Sequence, residues 1–344
     1  MIVMTYYART GDDKMKNKEA VTAAKDLIQS QVDAGVLHAA TLYVRIGALI
    51  EQHTFGAASS TDAIFLLASI TKPMSAAGVM TLVDEGGLDL SDRVVKFFPE
   101  FTGDNREEIT IHHLLTHTSG LPDQLPENAE LRKRHAPLSE FVERTLRTPL
   151  LFKPGTRYSY QSMGILLAAE IVQRITGATF PDLLSERIFR PLGMKHTALG
   201  LGEIRQEDTV RCQTEDAAPE AGSGSAEAKN WDWNSPYWRN LAAPWGGAHG
   251  TAADVARFLE SFLHPDGSAV HPDTAREMIR NHNEGLDTPR GLGFALGPSA
   301  FVKGCTDKTF GHGGSTGTLA WADPSGDRVC VILTSLPANK SRSL

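Results

Sequence analysis

Paired cysteines, long apolar runs and clustered basic charge are what this 344-residue chain has least of. Each shortage excludes something. The three cysteines, Cys212, Cys305 and Cys330, stand far apart with no C-x-x-C spacing. An odd count so spread argues against a disulfide framework and against a thiolate zinc site, so free thiols are expected. No window approaches ~18 uninterrupted apolar residues, the length a membrane-spanning helix needs. The only compact basic run is RKRH at 132–135, within a chain of net charge −7. Nucleic acid is therefore not an expected partner. The opening MIVMTYYARTGDDK lacks a basic segment followed by an apolar run, so no secretory leader is read and a cytoplasmic location is expected. No internal repeat stands out. GLGFALG (291–297) has the wrong spacing for a dinucleotide fingerprint and opens no helix, so no cofactor is implied.

What is present is an ordinary globular balance of 41% hydrophobic and 22% charged residues. At roughly 100–200 residues per domain the length suggests two lobes, with enough chain to bury a core unaided. Ala20, Ala23, Ala24, Leu27, Ile28 and Val32 recur at helical spacing before Gly35. ATLYVRIG (40–47) and ALIEQHTFG (48–56) read as a hairpin. SITKPMSAAGVMTLVDEGG (69–87) reads as a helix that begins at Ser69 and tolerates Pro73 in its first turn. IHHLLTHTSGLPD (111–123) reads as a short helix and turn. Stretches 138–148, 164–177, 180–193, 251–263 and 272–281 read as further helices. TEDAAPEAGSGSAEAK (214–229) is small and polar, as a mobile surface loop would be. KTFGHGG, TGTLAWAD and DRVCVILTS read as three strands, the last two joined at DPSG (323–326). Strands at both ends and helices between predict an α/β (α+β) fold. Its sheet lobe takes 1–72 and 235–344, and a mainly helical lobe takes 73–234. A site is expected in the cleft between the lobes.

Two stretches offer a serine nucleophile. Gly313-Gly314-Ser315-Thr316-Gly317 fits the G-x-S-x-G elbow of α/β-hydrolases, which requires strand–turn–helix and a later histidine. No histidine follows Ser315, and the sequence after it reads as strand. Ser69-Ile70-Thr71-Lys72 is an S-x-x-K element. Residues three apart share a helix face, so the lysine reaches the hydroxyl one turn away. A hydroxyl needs a base to become a nucleophile; a lysine can serve if burial and nearby positive charge lower its pKa, or it can stay charged and lower the pKa of a neighbouring tyrosine.

The sequence resembles the serine β-lactamase-related hydrolases, namely class C β-lactamases, D-Ala-D-Ala peptidases and family VIII carboxylesterases. The resemblance runs from about residue 20 to 335. It is carried in order by LASITKPMSAAGVMTLVDEGGLDLSD, ITIHHLLTHTSGLPD, KPGTRYSYQSMGILLAAEIV, RIFRPLGMKHTALG, GGAHGTAADVARFL and FGHGGSTGT. It implies a β-lactamase/DD-peptidase-like fold, an antiparallel sheet flanked by helices beside a helical lobe. It implies Ser69 as nucleophile with Lys72. The family's Tyr-x-Asn element falls on Tyr160-Gln161-Ser162, making Tyr160 the phenolic base or proton relay, with Tyr158 as its rival. The Lys-Thr-Gly strand triplet falls on His312-Gly313-Gly314. The residue after it, Ser315, would pair its backbone N–H with that of Ser69 as the oxyanion hole. Ser162, His312, Gly313 and Gly314 would meet substrate.

Two departures shape the functional expectation. Ser162 replaces an asparagine that binds substrate amides. His312 replaces the lysine that class C enzymes use for a carboxylate, although peptidases of the family also have histidine there. Together with the absent leader these favour a small neutral ester over cell-wall peptide. The alternatives are a β-lactamase or D-amino-acid peptidase, an acyltransferase, and last a non-catalytic penicillin-sensor-like protein. His113 and His117 are four apart, as zinc ligands can be, but no matching third ligand follows and no metal is expected. WDWNSPYW (231–238), with Trp245 beyond, reads either as lobe packing or as an acyl-pocket wall. Sequence gives neither acyl length nor oligomeric state.

Overall fold

The computed structural model describes residues 11–215, 217–302 and 304–341. Residues 1–10, which carry the reading of an absent leader, lie outside them. An antiparallel sheet of six strands forms one layer, in the order β2-β1-β9-β8-β7-β6. Its strands come from both parts of the chain: β1 (Ala39–Ile46) and β2 (Leu49–Gly56), then β6 (Ala295–Leu296), β7 (Phe310–Gly314), β8 (Thr318–Asp323) and β9 (Arg328–Thr334). β1, next to the β2 edge, is covered on both faces. Ala40, Leu42 and Val44 pack under α1 (Gly11–Asp33), together with Ala24 and Ile28. On the opposite face Tyr43 and Arg45 reach Glu260 of α9 (Ala252–Leu263). β2 is the exposed edge, and its alternation of partly buried and exposed residues matches that place.

A second sheet of three short strands, β3 (Phe65–Leu66), β5 (Ala248–Gly250) and β4 (Ala198–Leu199), joins the layers. Between β3 and β5 run α2 (Thr71–Asp84), α3 (Ile111–Leu115), α4 (Asn128–Lys133), α5 (Leu138–Arg147), α6 (Met163–Thr176), α7 (Phe180–Leu184) and α8 (Pro236–Asn240). α10 (Pro272–Met278) follows α9. α2 is buried from Thr71 to Leu82 on every side, and α6 is buried nearly as fully against it. A helix apolar all round belongs in the middle of a core, not on its face. No single helix among the described residues is long and apolar enough to cross a membrane.

The fold departs from the sequence reading in four places. α2 begins at Thr71, and Ser69 sits in a preceding 3-10 turn, Ala68–Ile70. β6 is only two residues long, too short to leave a pattern. Stretch 180–193 is not one α-helix, because α7 passes at Ser185 into a π-helical turn to Phe189. The described residues of 214–229 are anchored, with two 3-10 turns and Ala217, Ala221 and Ala228 buried. Alanine is small enough to look loop-like and apolar enough to pack.

The β7–β8 turn depends on Gly317, which has φ +88°. A Cβ there would stand 1.7 Å from the Leu336 carbonyl oxygen, and backbone cannot yield as a side chain can. We expect Gly317→Ala to destabilise the fold by about 2 kcal/mol or more, measured by urea denaturation.

Candidate active site

The turn that carries Ser69 is held from three directions. β3 leads into it, and Leu67 N–H donates to Ala248 O at 2.8 Å. The Thr316 and Thr318 hydroxyls donate to Leu66 O and Leu67 O, each at 2.8 Å. Gly314 lies so close that a Cβ would come within 2.5 Å of Leu67 O. Ala68 has φ +47°, a left-handed conformation that costs a non-glycine residue roughly 1–2 kcal/mol. That kink ends β3 and leaves Ser69, partly exposed to the cleft, just ahead of α2.

Lys72 is 1% exposed. Its Nζ donates to Ser69 Oγ at 3.1 Å and to Trp245 O at 2.9 Å. Burial lowers its pKa to about 7; Asp123 pulls it upward and Arg290 pushes it further down. The early position in α2 adds the positive end of the helix dipole. Residues 244–248 line this helix end. Pro244 O accepts from Ser75 Oγ at 2.6 Å, and Ala248 N–H donates to Thr71 Oγ1 at 3.0 Å.

Tyr160 stands beside this pair, with Lys72 Nζ 4.7 Å from its ring centroid. The HTSG stretch is its scaffold. His117 accepts the Gln161 N–H at Nδ1, 3.2 Å away, and its carbonyl accepts the Ser159 N–H at 3.0 Å. Ser119 Oγ donates to Gln161 Oε1 at 2.5 Å. His117 adopts φ +61° past the end of α3, so it shares no helix face with His113. Burial holds the His117 imidazole neutral, well below the usual histidine range. Tyr158 lies on the other side, 5.9 Å from the Arg290 guanidinium, and burial raises its pKa. Ser162 is buried and donates its proton to Asp123 Oδ1 at 2.5 Å. The substrate-binding role expected of Ser162 therefore has no open hydroxyl proton to rest on.

A cavity of about 930 Å³ opens over Ser69, Tyr158, Tyr160, Arg290, His312 and Ser315 and extends to Leu27 and Ile28 of α1. Gly313 lines it too, whereas Gly314 is buried against the nucleophile turn. Ser315 follows β7 in the turn to β8, and its carbonyl accepts the Ala338 N–H at 2.9 Å. The chain turns at once into β8, so no helix follows Ser315 as a nucleophile elbow requires. The His312 Nδ1–H donates to Gly313 O at 2.7 Å. That leaves Nε2 as the acceptor for Arg290 Nη2 at 3.4 Å. Trp231, Trp233, Trp238 and Trp245 are buried and line no part of the cleft; packing is their role. Three groups at the site escaped the sequence reading: Arg290, Asp123 and the Trp245 carbonyl. A carbonyl has no sequence signature, and the two charges lie in loops.

This arrangement can activate a hydroxyl. A lysine with a pKa about 7 is partly neutral near physiological pH and hydrogen-bonded to a cleft-facing serine, with a phenol alongside for proton traffic.

Comparison with known proteins accords with this geometry. The family model described as Beta-lactamase matches residues 24–343. Penicillin-binding protein 4 of Amycolatopsis lactamdurans is 30% identical over 301 residues, covering 83% of this chain and 71% of the relative. Esterase EstB of Burkholderia gladioli is 31% identical over 315 residues, covering 83% and 78%. Among solved structures, EstCE1, described as a hydrolase with promiscuous acyltransferase activity, superposes with a TM-score of 0.74 at 19% identity. It covers 94% of this chain and 95% of its own.

The Lys72 amine accepts a proton only when neutral, so its competent fraction rises with pH through about 7. We expect labelling of Ser69 by a fluorophosphonate to accelerate across that range and level off above it. Lys72→Arg, permanently charged, should slow labelling by roughly 10²–10⁴-fold at pH 8.

Proposed function

The chain belongs to the Beta-lactamase family and is a serine hydrolase, and from that premise we propose that it cleaves carboxylic esters through an acyl-enzyme on Ser69. The observation that carries the reading is the 3.1 Å contact between Ser69 Oγ and a buried Lys72 amine. Ser69 Oγ attacks the ester carbonyl carbon while its proton passes to the neutral amine. The carbonyl oxygen becomes an oxyanion, received by the backbone N–H groups of Ser69 and Ser315. Each such donor is worth roughly 3–4 kcal/mol of barrier. The tetrahedral intermediate collapses, the ester C–O bond breaks, and Tyr160 gives its proton to the departing alkoxide. The Tyr160 phenolate then takes a proton from water, whose oxygen attacks the acyl carbon; the acyl C–O bond to Ser69 breaks, and the Lys72 ammonium returns its proton to Ser69 Oγ as the acid departs.

Ester rather than amide cleavage is favoured by the engagement of Ser162 with Asp123, where the family places an amide-binding asparagine. A relative named as an esterase points the same way. A second reading, a peptidase or β-lactamase, is favoured by the relative named as a penicillin-binding protein.

A panel of p-nitrophenyl butyrate, a cephalosporin and a D-Ala-D-Ala peptide separates these readings. We expect rapid turnover of the ester alone, and a dominant D-peptide activity would overturn the reading. Ser69→Ala should abolish ester turnover. Ser315→Ala should keep most of it, because the proposed donor is a backbone amide.

A further inference from the structure

The two edges of the six-stranded sheet are unlike. At one side β6 is two residues long. At the other β2 runs for eight residues, Leu49–Gly56, and among the described residues it pairs only with β1. A long open edge presents a row of backbone donors and acceptors to any strand that meets it. Soluble proteins blunt such edges with lysine, proline, a bulge or a covering segment. β2 reads LIEQHTFG, with neither lysine nor proline, and its register runs unbroken from Ile46↔Leu49 to Ala39↔Gly56. Ile50, in the middle of this edge, is 53% exposed.

The backbone direction follows from the hairpin. The two-residue turn Gly47-Ala48 closes on Ile46↔Leu49. Antiparallel strands alternate, so the N–H and C=O groups of Leu49, Glu51 and His53 point to β1, and those of Ile50, Gln52 and Thr54 point away. The Ala57 N–H donates to His38 O at 2.8 Å, which continues the same alternation past the strand. Glu51 and His53 share one face, both partly buried, and the His53 Nε2–H donates to Glu51 Oε2 at 2.9 Å.

That pair makes the edge complementary to itself. An antiparallel copy centred on Glu51 sets carboxylate against carboxylate. One centred on His53 sets imidazole against imidazole. One centred on Gln52 sets Glu51 of each copy opposite His53 of the other, closing a ring of four groups that alternate in kind, and sets Ile50 opposite Thr54. Opposite charges across a strand pair stabilise it and like charges destabilise it, so the side chains select the third register. We propose that β2 docks a second copy of this chain, antiparallel about a two-fold axis at Gln52, joining two six-stranded sheets into one. Ile50, Gln52 and Thr54 exchange the main-chain hydrogen bonds. Glu51 and His53 take the non-hydrogen-bonded positions, where facing side chains come closest. Both clefts stay open, because β7 and β6 lie toward the opposite edge.

Sedimentation velocity tests the proposal, and wild type should run as a dimer. Gln52→Pro removes an outward N–H that β1 does not use, so the hairpin survives and the dimer does not. It should raise the dimer dissociation constant at least ~10-fold, with a far-UV circular dichroism spectrum like that of wild type. Glu51→Lys should weaken the dimer, and adding His53→Glu should restore it by reversing the ring. Under mild oxidation Gln52→Cys, on the axis, should cross-link two chains. Ile50→Cys should not, since its two copies lie roughly 14 Å apart in this register. Wild type, with its own three thiols, is the control. Should Gln52→Pro fail to fold, the two cysteine variants decide alone. A wild type that stays monomeric at its highest soluble concentration overturns the proposal. So does a dimer that a folded Gln52→Pro leaves intact, or one that Ile50→Cys cross-links and Gln52→Cys does not.

Discussion

A lysine amine sealed from water beside a serine hydroxyl is the constraint around which the molecule is organised. Among the described residues, no carboxylate pairs with Lys72 at contact distance; its partners are a hydroxyl and a carbonyl. In such a place the neutral amine is favoured, and desolvation drives the shift. To exclude water there, α2 must be enclosed on every side, and it is. That enclosure explains why α6 packs along α2, and why residues 244–248 lie against the α2 N-terminus.

The supports of the nucleophile turn are mostly backbone atoms. Trp245 O and Pro244 O receive donors from α2, while Leu66 O and Leu67 O receive the two threonines. Carbonyls are positioned by the fold and survive substitution of their own side chains. The side chains that carry charge differences are fewer: Lys72, Asp123 and Arg290, set around Tyr160. Asp123 and Arg290 are opposite in sign, so the field at the cleft floor follows the Lys72 amine, which is charged below about pH 7, in a chain of net charge −7. Local field and overall charge are separate matters.

Local features were legible in the sequence and distant ones were not. Ser69 and Lys72 are three residues apart, and their spacing survives even though α2 starts later than the pattern suggests. The alternation of β8 and β9 and the DPSG turn are short-range signals as well, and their strands lie where the periodicity puts them. The 3-10 turn was hidden because Ala68, an excellent helix former, is forced to φ +47° by its neighbours. The resemblance pointed to Tyr160, and the structure sets that ring beside Lys72, but the sequence does not say what holds it there. The explanation is the scaffold from His117 to Gln161, built by hydrogen bonds across about 40 positions. Arg290 was unreadable for a different reason: an arginine before a glycine-rich stretch looks solvated until burial and missing partners are known.

The two threonine clasps on the nucleophile turn join residues 250 and 251 positions apart. Contacts of such separation pay their loop-closure cost only when most of the intervening chain is organised. The backbone hydrogen bonds of the helix that carries Lys72 are local, but the threonine clasps on the kinked turn that presents Ser69 cannot form until β7 and β8 dock. Reactivity is therefore among the last properties a folding chain acquires. A partly folded molecule, whether emerging from synthesis or recovering from denaturant, carries the right residues in the right order and does not yet present Ser69 to the cleft.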